Sequence, residues 1–397
     1  MIHRLQMGEV PAKPHTVFEH SGKMAYEHCL TRRGFDGMYT IFYHRVPPHW
    51  VETDEDLGVH PGWAEPTAKG ALRRRHYETP KLAEGGQPFM DRKLLLANPD
   101  VGVWMVKATE DDATLVANGD SDELVFVQEG SGWVDTPQGL VRFQRQDYVF
   151  IPRSLPHRFR LHEPATMMIM EGKTYIDVPT QFRVPGGQLD MGAPYSHRDF
   201  RAPEWPDGGA ASLDAPRRML VKRNDSVTAY EMAGDPFDVI GWDGQVWSFA
   251  FPIRAYQPKT GQVHLPPTVH LTFAGGGFIV CSFVPRMLDY HERAIPCPYA
   301  HSSVDCDEII LYVEGDFTSR KGVEIGSISL HPAGIAHGPH PGRYEASVGV
   351  RETKELAVMC DTFKPLLPTK HAASIEDEGY NRSWVEAGSG GGKGRSA

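Results

Sequence analysis

The chain has 397 residues, 40% hydrophobic and 23% charged, which is enough material for two or three domains with sizeable cores. A net charge of −10 that nowhere gathers into a basic stripe excludes the phosphate-neutralising surface that nucleic-acid binding requires. No apolar run is long enough to span a bilayer, and the N-terminal MIHRLQMGEVPAKPHTVFEH lacks the apolar core of a signal peptide, so no membrane partner and a cytoplasmic address are expected.

In chain order, residues 1–100 read as a leading segment and 101–180 as a first β-barrel, with strands in LVFVQ and DYVFI. Residues 181–244 are a Pro/Asp/Gly-rich connecting region. Residues 245–365 form a second barrel with strands in FIVCSFV and IILYV, and 366–397 a C-terminal stretch with a short helix expected over 375–385. The end, AGSGGGKGRSA, has flexible-linker composition and reads as disordered or as an expression remnant. The 40 Gly and 32 Pro are spread throughout, which suits many short strands better than long helices. Five scattered cysteines (Cys29, Cys281, Cys297, Cys306, Cys360) without CxxC spacing read as free thiols.

The two barrel segments repeat one pattern. Asp122-Glu-Leu-Val-Phe-Val-Gln-Glu-Gly130 and Asp307-Glu-Ile-Ile-Leu-Tyr-Val-Glu-Gly315 each place an acidic pair before a strand and a Glu-Gly turn after it. Each is followed by a strand that ends in proline and, five residues on, histidine: Pro152 to His157 and Pro332 to His337. Strand, Gly turn, strand and Pro-x4-His in this order resemble the cupin superfamily of jelly-roll barrels, whose inward-pointing residues converge on a metal. The expected architecture is therefore mainly β, a bicupin.

The copies differ as metal sites. Seven residues before Glu308 stands His301, whereas seven residues before Glu123 stands Val116. Only the second copy has His301, Glu308 and His337. Two imidazoles and one carboxylate leave further positions on an ion open, the facial arrangement of non-haem iron(II) oxygenases, whereas structural zinc closes its fourth position. The first barrel is expected to be degenerate, with His157 structural.

Phe283-Val-Pro-Arg286, Pro296-Cys-Pro-Tyr-Ala-His-Ser-Ser-Val-Asp-Cys-Asp-Glu308 and the run from Gly326 to Gly342 are similar to the homogentisate 1,2-dioxygenase family, in its shorter bacterial members. Gly8-Glu-Val-Pro11 and Tyr43-His-Arg-Val-Pro-Pro48 look like that family's opening segments. The resemblance implies iron(II) on His301, Glu308 and His337, His264 as the acid/base group, and Tyr299 and His331 as substrate-binding residues. His270, six residues after His264, is its control. Longer members place five residues between the first ligand His and the Glu; six stand here, with Asp307 at the shorter spacing as the reserve ligand. The implied reaction is ring cleavage of homogentisate by O2 to maleylacetoacetate, in tyrosine or phenylalanine catabolism, by a homo-oligomer. Rival readings are a dioxygenase for gentisate or hydroquinone, and a cupin isomerase or storage bicupin without oxygenase activity.

Overall fold

The β-branched and aromatic runs form strands that are buried on both faces, in a computed structural model that describes residues 2–386 except 61, 62, 64, 68, 69 and 262–265. His264 and the tail 387–397 lie outside the described residues. The fold is mainly β. Among the described residues no α-helix exceeds the five residues of Pro266–His270 and Lys370–Ser374, and none is long and apolar enough to cross a membrane. The chain divides into two units, the first made of Met1–Ala64, Ala83–Lys93 and Val103–Pro252, the second of Glu65–Leu82, Leu94–Gly102 and Ile253–Ala397.

In the first unit the strand Asp122–Thr136 pairs antiparallel with Asp147–Ile151 on one edge and Arg158–Gly172 on the other. Leu124, Phe126, Tyr148, Phe150 and Met170 are fully buried there, each contributing about 1.5–3 kcal/mol of transfer free energy. A separate sheet places Tyr39–His44 between Tyr26–Thr31 and Val239–Gly244. In the second unit an antiparallel sheet runs in the order Leu271–Gly275, Phe278–Phe283, Leu356–Thr362, Asp307–Glu314, Ile328–His331, Arg75–Tyr77. Its edge strand comes from far upstream in the chain, with Tyr77 opposite Ile328.

The sequence repeat is a structural repeat. Glu123 stands opposite Ile151, and Glu308 stands opposite His331 in the matching strand pair. Val116 and His157 exchange two backbone hydrogen bonds of 2.9 Å; His301 and His337 exchange two of 2.8 Å. The Glu-Gly turns also match, since Gly130 has φ 99° and Gly315 φ 94°, and an added Cβ would lie 2.6 Å from the Ala165 Cα and 2.5 Å from the Lys354 carbonyl oxygen. Only glycine meets both demands without strain.

The first acid of each pair has a structural task. Asp122 accepts the amides of Arg153 and Ile176, while Asp307 accepts those of Ala333 and Leu366, all at 2.7–2.8 Å. In each copy the carboxylate ties the residue after the proline to a later loop. All five cysteines are free thiols, as expected.

The helix expected over 375–385 does not form across its first half. Thr369 Oγ1 caps the helix Lys370–Ser374, which stops before Glu376; the chain then bridges Tyr77 with Glu376 and gives the Asp377 amide to the His76 carbonyl. Arg75 holds the Glu376 carboxylate at 2.7 Å. Pairing with the edge strand wins over local helix propensity, and a 3-10 turn, Tyr380–Arg382, and a short helix, Ser383–Glu386, follow.

Candidate metal centre

His301, Glu308 and His337 of the second unit each offer a ligand atom within 4.8 Å of the others. Strand pairing places them: Glu308 is the second residue of the Asp307–Glu314 strand, and the His301–His337 bridge brings two segments 36 positions apart into register. The imidazole rings of His301 and His337 lie 4.4 Å apart, and Glu308 Oε2 is 3.7 Å from His337 Nε2.

Protonation follows from the hydrogen bonds. His301 Nδ1–H donates to the Tyr299 carbonyl at 3.0 Å, which leaves the Nε2 lone pair for an ion. His337 is 3% exposed, and neither of its ring nitrogens has a hydrogen-bond partner. A buried imidazole without a partner is costly, and a cation at Nε2 removes the part of that cost that falls on this nitrogen. Charge, geometry and orphaned nitrogen thus fit a divalent ion.

Behind the carboxylate, His331 Nδ1–H donates to Glu308 Oε1 at 2.7 Å, and the Tyr380 hydroxyl stands 3.3 Å from His331 Nε2. Burial, reinforced by the Arg320 guanidinium, pushes His331 down to about 3, so the ring is neutral near pH 7. Burial opposes charge on Glu308, but the hydrogen bond from His331 and the imidazole of His337 nearby outweigh it and hold its carboxyl well below the usual range. Arg320 NH2 adds positive charge 3.8 Å from Glu308 Oε1.

Asp361, opposite Glu308 on the neighbouring strand, is 7% exposed and pushed well above the ordinary carboxyl value by burial and by the Glu308 charge. The reserve ligand Asp307 has both oxygens on backbone amides and is not among the three clustered groups.

A cavity of about 70 Å³ opens beside the triad, lined by His270, Phe283, Arg286, Tyr299, His301, Glu308 and Arg320 among others. Tyr299 is 46% exposed at its border; His331, fully buried, does not line it and touches Glu308 instead. His270 is buried with its ring 4.4 Å from that of Phe283. Arg320, Tyr380 and Asp361 escaped the sequence reading. The first two lie outside the repeated motif, and Asp361 looks unremarkable until the strand pairing sets it beside Glu308.

In the first unit the same strand pair carries a different interior. Arg92 NH1 donates to Glu123 Oε1 at 2.7 Å and its NH2 also donates to Glu171, while Lys222 donates to Glu171 at 2.6 Å. Asn118 bridges both carboxylates at 2.8–2.9 Å. Among the described residues no metal-ligating cluster forms there, and His157 Nε2 lies 3.5 Å from Glu123 Oε2.

A mainly β fold with a 2-His-1-carboxylate cluster in the second of two repeated units defines a candidate metal-dependent oxygenase. The chain is 36% identical over 394 residues to a candidate dioxygenase of Saccharolobus solfataricus, covering 97% of this chain and 99% of that one, and it belongs to that dioxygenase family. It is also 25% identical over 287 residues to the homogentisate 1,2-dioxygenase of Rhizobium rhizogenes and 24% identical over 286 residues to that of Rhodopseudomonas palustris. These matches take in 67% of this chain and 61–62% of the longer relatives. A cupin barrel protein of Leptotrichia buccalis overlaps 73% of the chain at TM-score 0.35 and 8% identity, covering 96% of its own length. No family model matches.

Proposed function

We propose that the chain is an iron(II)-dependent ring-cleaving dioxygenase acting on a dihydroxyphenyl acid of the homogentisate type, with His301, Glu308 and His337 as the iron ligands. The observation that carries this reading is the convergence of the three ligand atoms within 4.8 Å beside a cavity. Bound there, iron(II) supplies open coordination positions and a one-electron couple through which an electron-rich ring and O2 react.

The protein's part is binding and proton handling. His331 fixes the Glu308 carboxylate so that Oε2 faces the other ligands. Arg286 and Arg320 line the cavity and favour an anionic substituent on the substrate. The half-exposed Tyr299 stands at the cavity's border, where an aromatic ring would enter. His264 is proposed to take the ring-hydroxyl proton. With homogentisate the product is maleylacetoacetate. A cytoplasmic homo-oligomer belongs to the same proposal.

The test is anaerobic loading with iron(II), followed by an oxygen-electrode screen of homogentisate, gentisate and hydroquinone. Oxygen uptake with homogentisate and maleylacetoacetate formation are expected. Uptake confined to gentisate or hydroquinone would move the substrate, and no uptake with any of the three would favour an isomerase or storage role. His264→Phe is expected to keep its iron and lose turnover by about 100- to 10,000-fold; a loss of that size in His270→Phe with His264→Phe active would reassign the base.

A further inference from the structure

The first unit contains a second cavity, of about 160 Å³, that the proposed reaction does not use. One end holds a histidine–aspartate pair: His44 Nδ1–H donates to Asp238 Oδ1 at 2.6 Å, and Asp238 Oδ2 accepts the Val46 amide at 2.6 Å. With Nδ1 protonated, Nε2 presents a lone pair. His44 is 4% exposed, lines the cavity, and has no hydrogen-bond partner at Nε2. A buried acceptor left open in an otherwise satisfied pair fits a ligand that brings its own donor.

The remaining walls set the class of that ligand. Phe42, Trp50, Met219 and Met232 line the cavity with several prolines, an apolar surface suited to a planar ring. An engineered apolar cavity of about 150 Å³ holds one benzene, so 160 Å³ admits a single ring with a small substituent. Among the described residues lining it the ionisable groups are the carboxylates Asp235 and Asp238 and the imidazoles His28 and His44, with no lysine or arginine. Burial, with His44 alongside, pushes His28 down to about 4, so that ring stays neutral near pH 7. An anionic ring would meet two carboxylates and no cation, whereas the cavity beside the triad carries Arg286 and Arg320 as well as Glu308 and Glu355.

We propose that this cavity is a second ligand site that takes a neutral, monocyclic phenol, its O–H donated to His44 Nε2 and its ring packed against Phe42 and Trp50. Ser154 also lines the cavity but makes no hydrogen bond to His44 Nε2, so no serine nucleophile is assembled there. The proposal is independent of the activity assigned to the second unit.

Fluorine NMR of 4-fluorophenol against the iron-loaded full-length protein is the test. Saturable binding is expected, displaced by phenol and not by benzoate, and about tenfold weaker in His44→Gln, the loss of roughly one hydrogen bond. Met219→Trp, which fills the cavity from a partly exposed position, should abolish it while leaving iron content unchanged. No saturable binding, equal displacement by benzoate, or binding that survives both variants but disappears in Glu308→Gln overturns the proposal, the last result because it places the phenol beside the triad.

Discussion

Glu123 and Glu308 occupy the same place in matching strand pairs, yet one carboxylate meets a guanidinium and the other meets imidazoles. In the first unit Arg92 and Lys222 offset the charge of Glu123 and Glu171 inside the protein. Among the described residues of the second unit the nearest cation is that of Arg320, 3.8 Å from Glu308, and the carboxylate faces the imidazoles of His301, His331 and His337. The neighbouring-strand acids make the contrast measurable. Burial opposes charge at both, but Arg92 and Lys222 pull Glu171 down to about 2, whereas Asp361, with Glu308 beside it, is pushed well above its ordinary value. One backbone template thus supports either an internal ion network or an ion-binding site, and a few side chains decide which.

The largest way to break the comparison is Arg92→Met. It leaves Glu123 and Glu171 short of a buried partner, and a loss of about 3–5 kcal/mol in denaturant unfolding is expected, with one iron per chain retained in the folded protein. A loss below 1 kcal/mol would mean that the network is not what offsets those charges. Acid sensitivity should follow the same residues. The folded Glu171 carboxyl lies below its unfolded value, so its stabilisation is present above about pH 4.5 and fades as pH falls toward 2.

His331→Phe comes next. Without the hydrogen bond to Glu308, iron affinity should fall about 10- to 100-fold in a chelator competition, with the fold intact. If instead only the KM for the aromatic substrate changes while iron affinity holds, His331 acts on substrate and not through Glu308.

His157→Ala acts on stability alone. Removing a fully buried ring should cost about 2–4 kcal/mol at most, less than breaking the Arg92 pairs, and leave iron untouched. A large loss of iron would mean that the first unit takes part in metal binding.

Much of this was legible in the sequence, because the repeat is local and the residues that carry it sit at fixed offsets from proline and glycine. The pairing of Glu308 with the residue before Pro332 follows from the antiparallel register, and the substitution of Val116 for His301 was visible by alignment of the two copies. What lay outside the motif was not legible. Arg92 and Lys222 reach Glu171 from segments with no counterpart in the repeat, and Arg75–Tyr77 joins the second unit's sheet from more than 250 positions upstream of its partner strand. The expected 375–385 helix failed for the same reason, since a long-range strand edge captured Glu376 and Asp377.

Iron stoichiometry after anaerobic loading tests the central claim most directly, measured on the wild-type chain and on His301→Ala, Glu308→Ala and His337→Ala. One iron(II) per chain is expected in the wild type, and each variant should lose both the metal and oxygen uptake, because two remaining ligands hold a labile ferrous ion poorly. Two irons per chain, or a folded Glu308→Ala protein that keeps its full iron content, would contradict the assignment of the site to the second unit's triad.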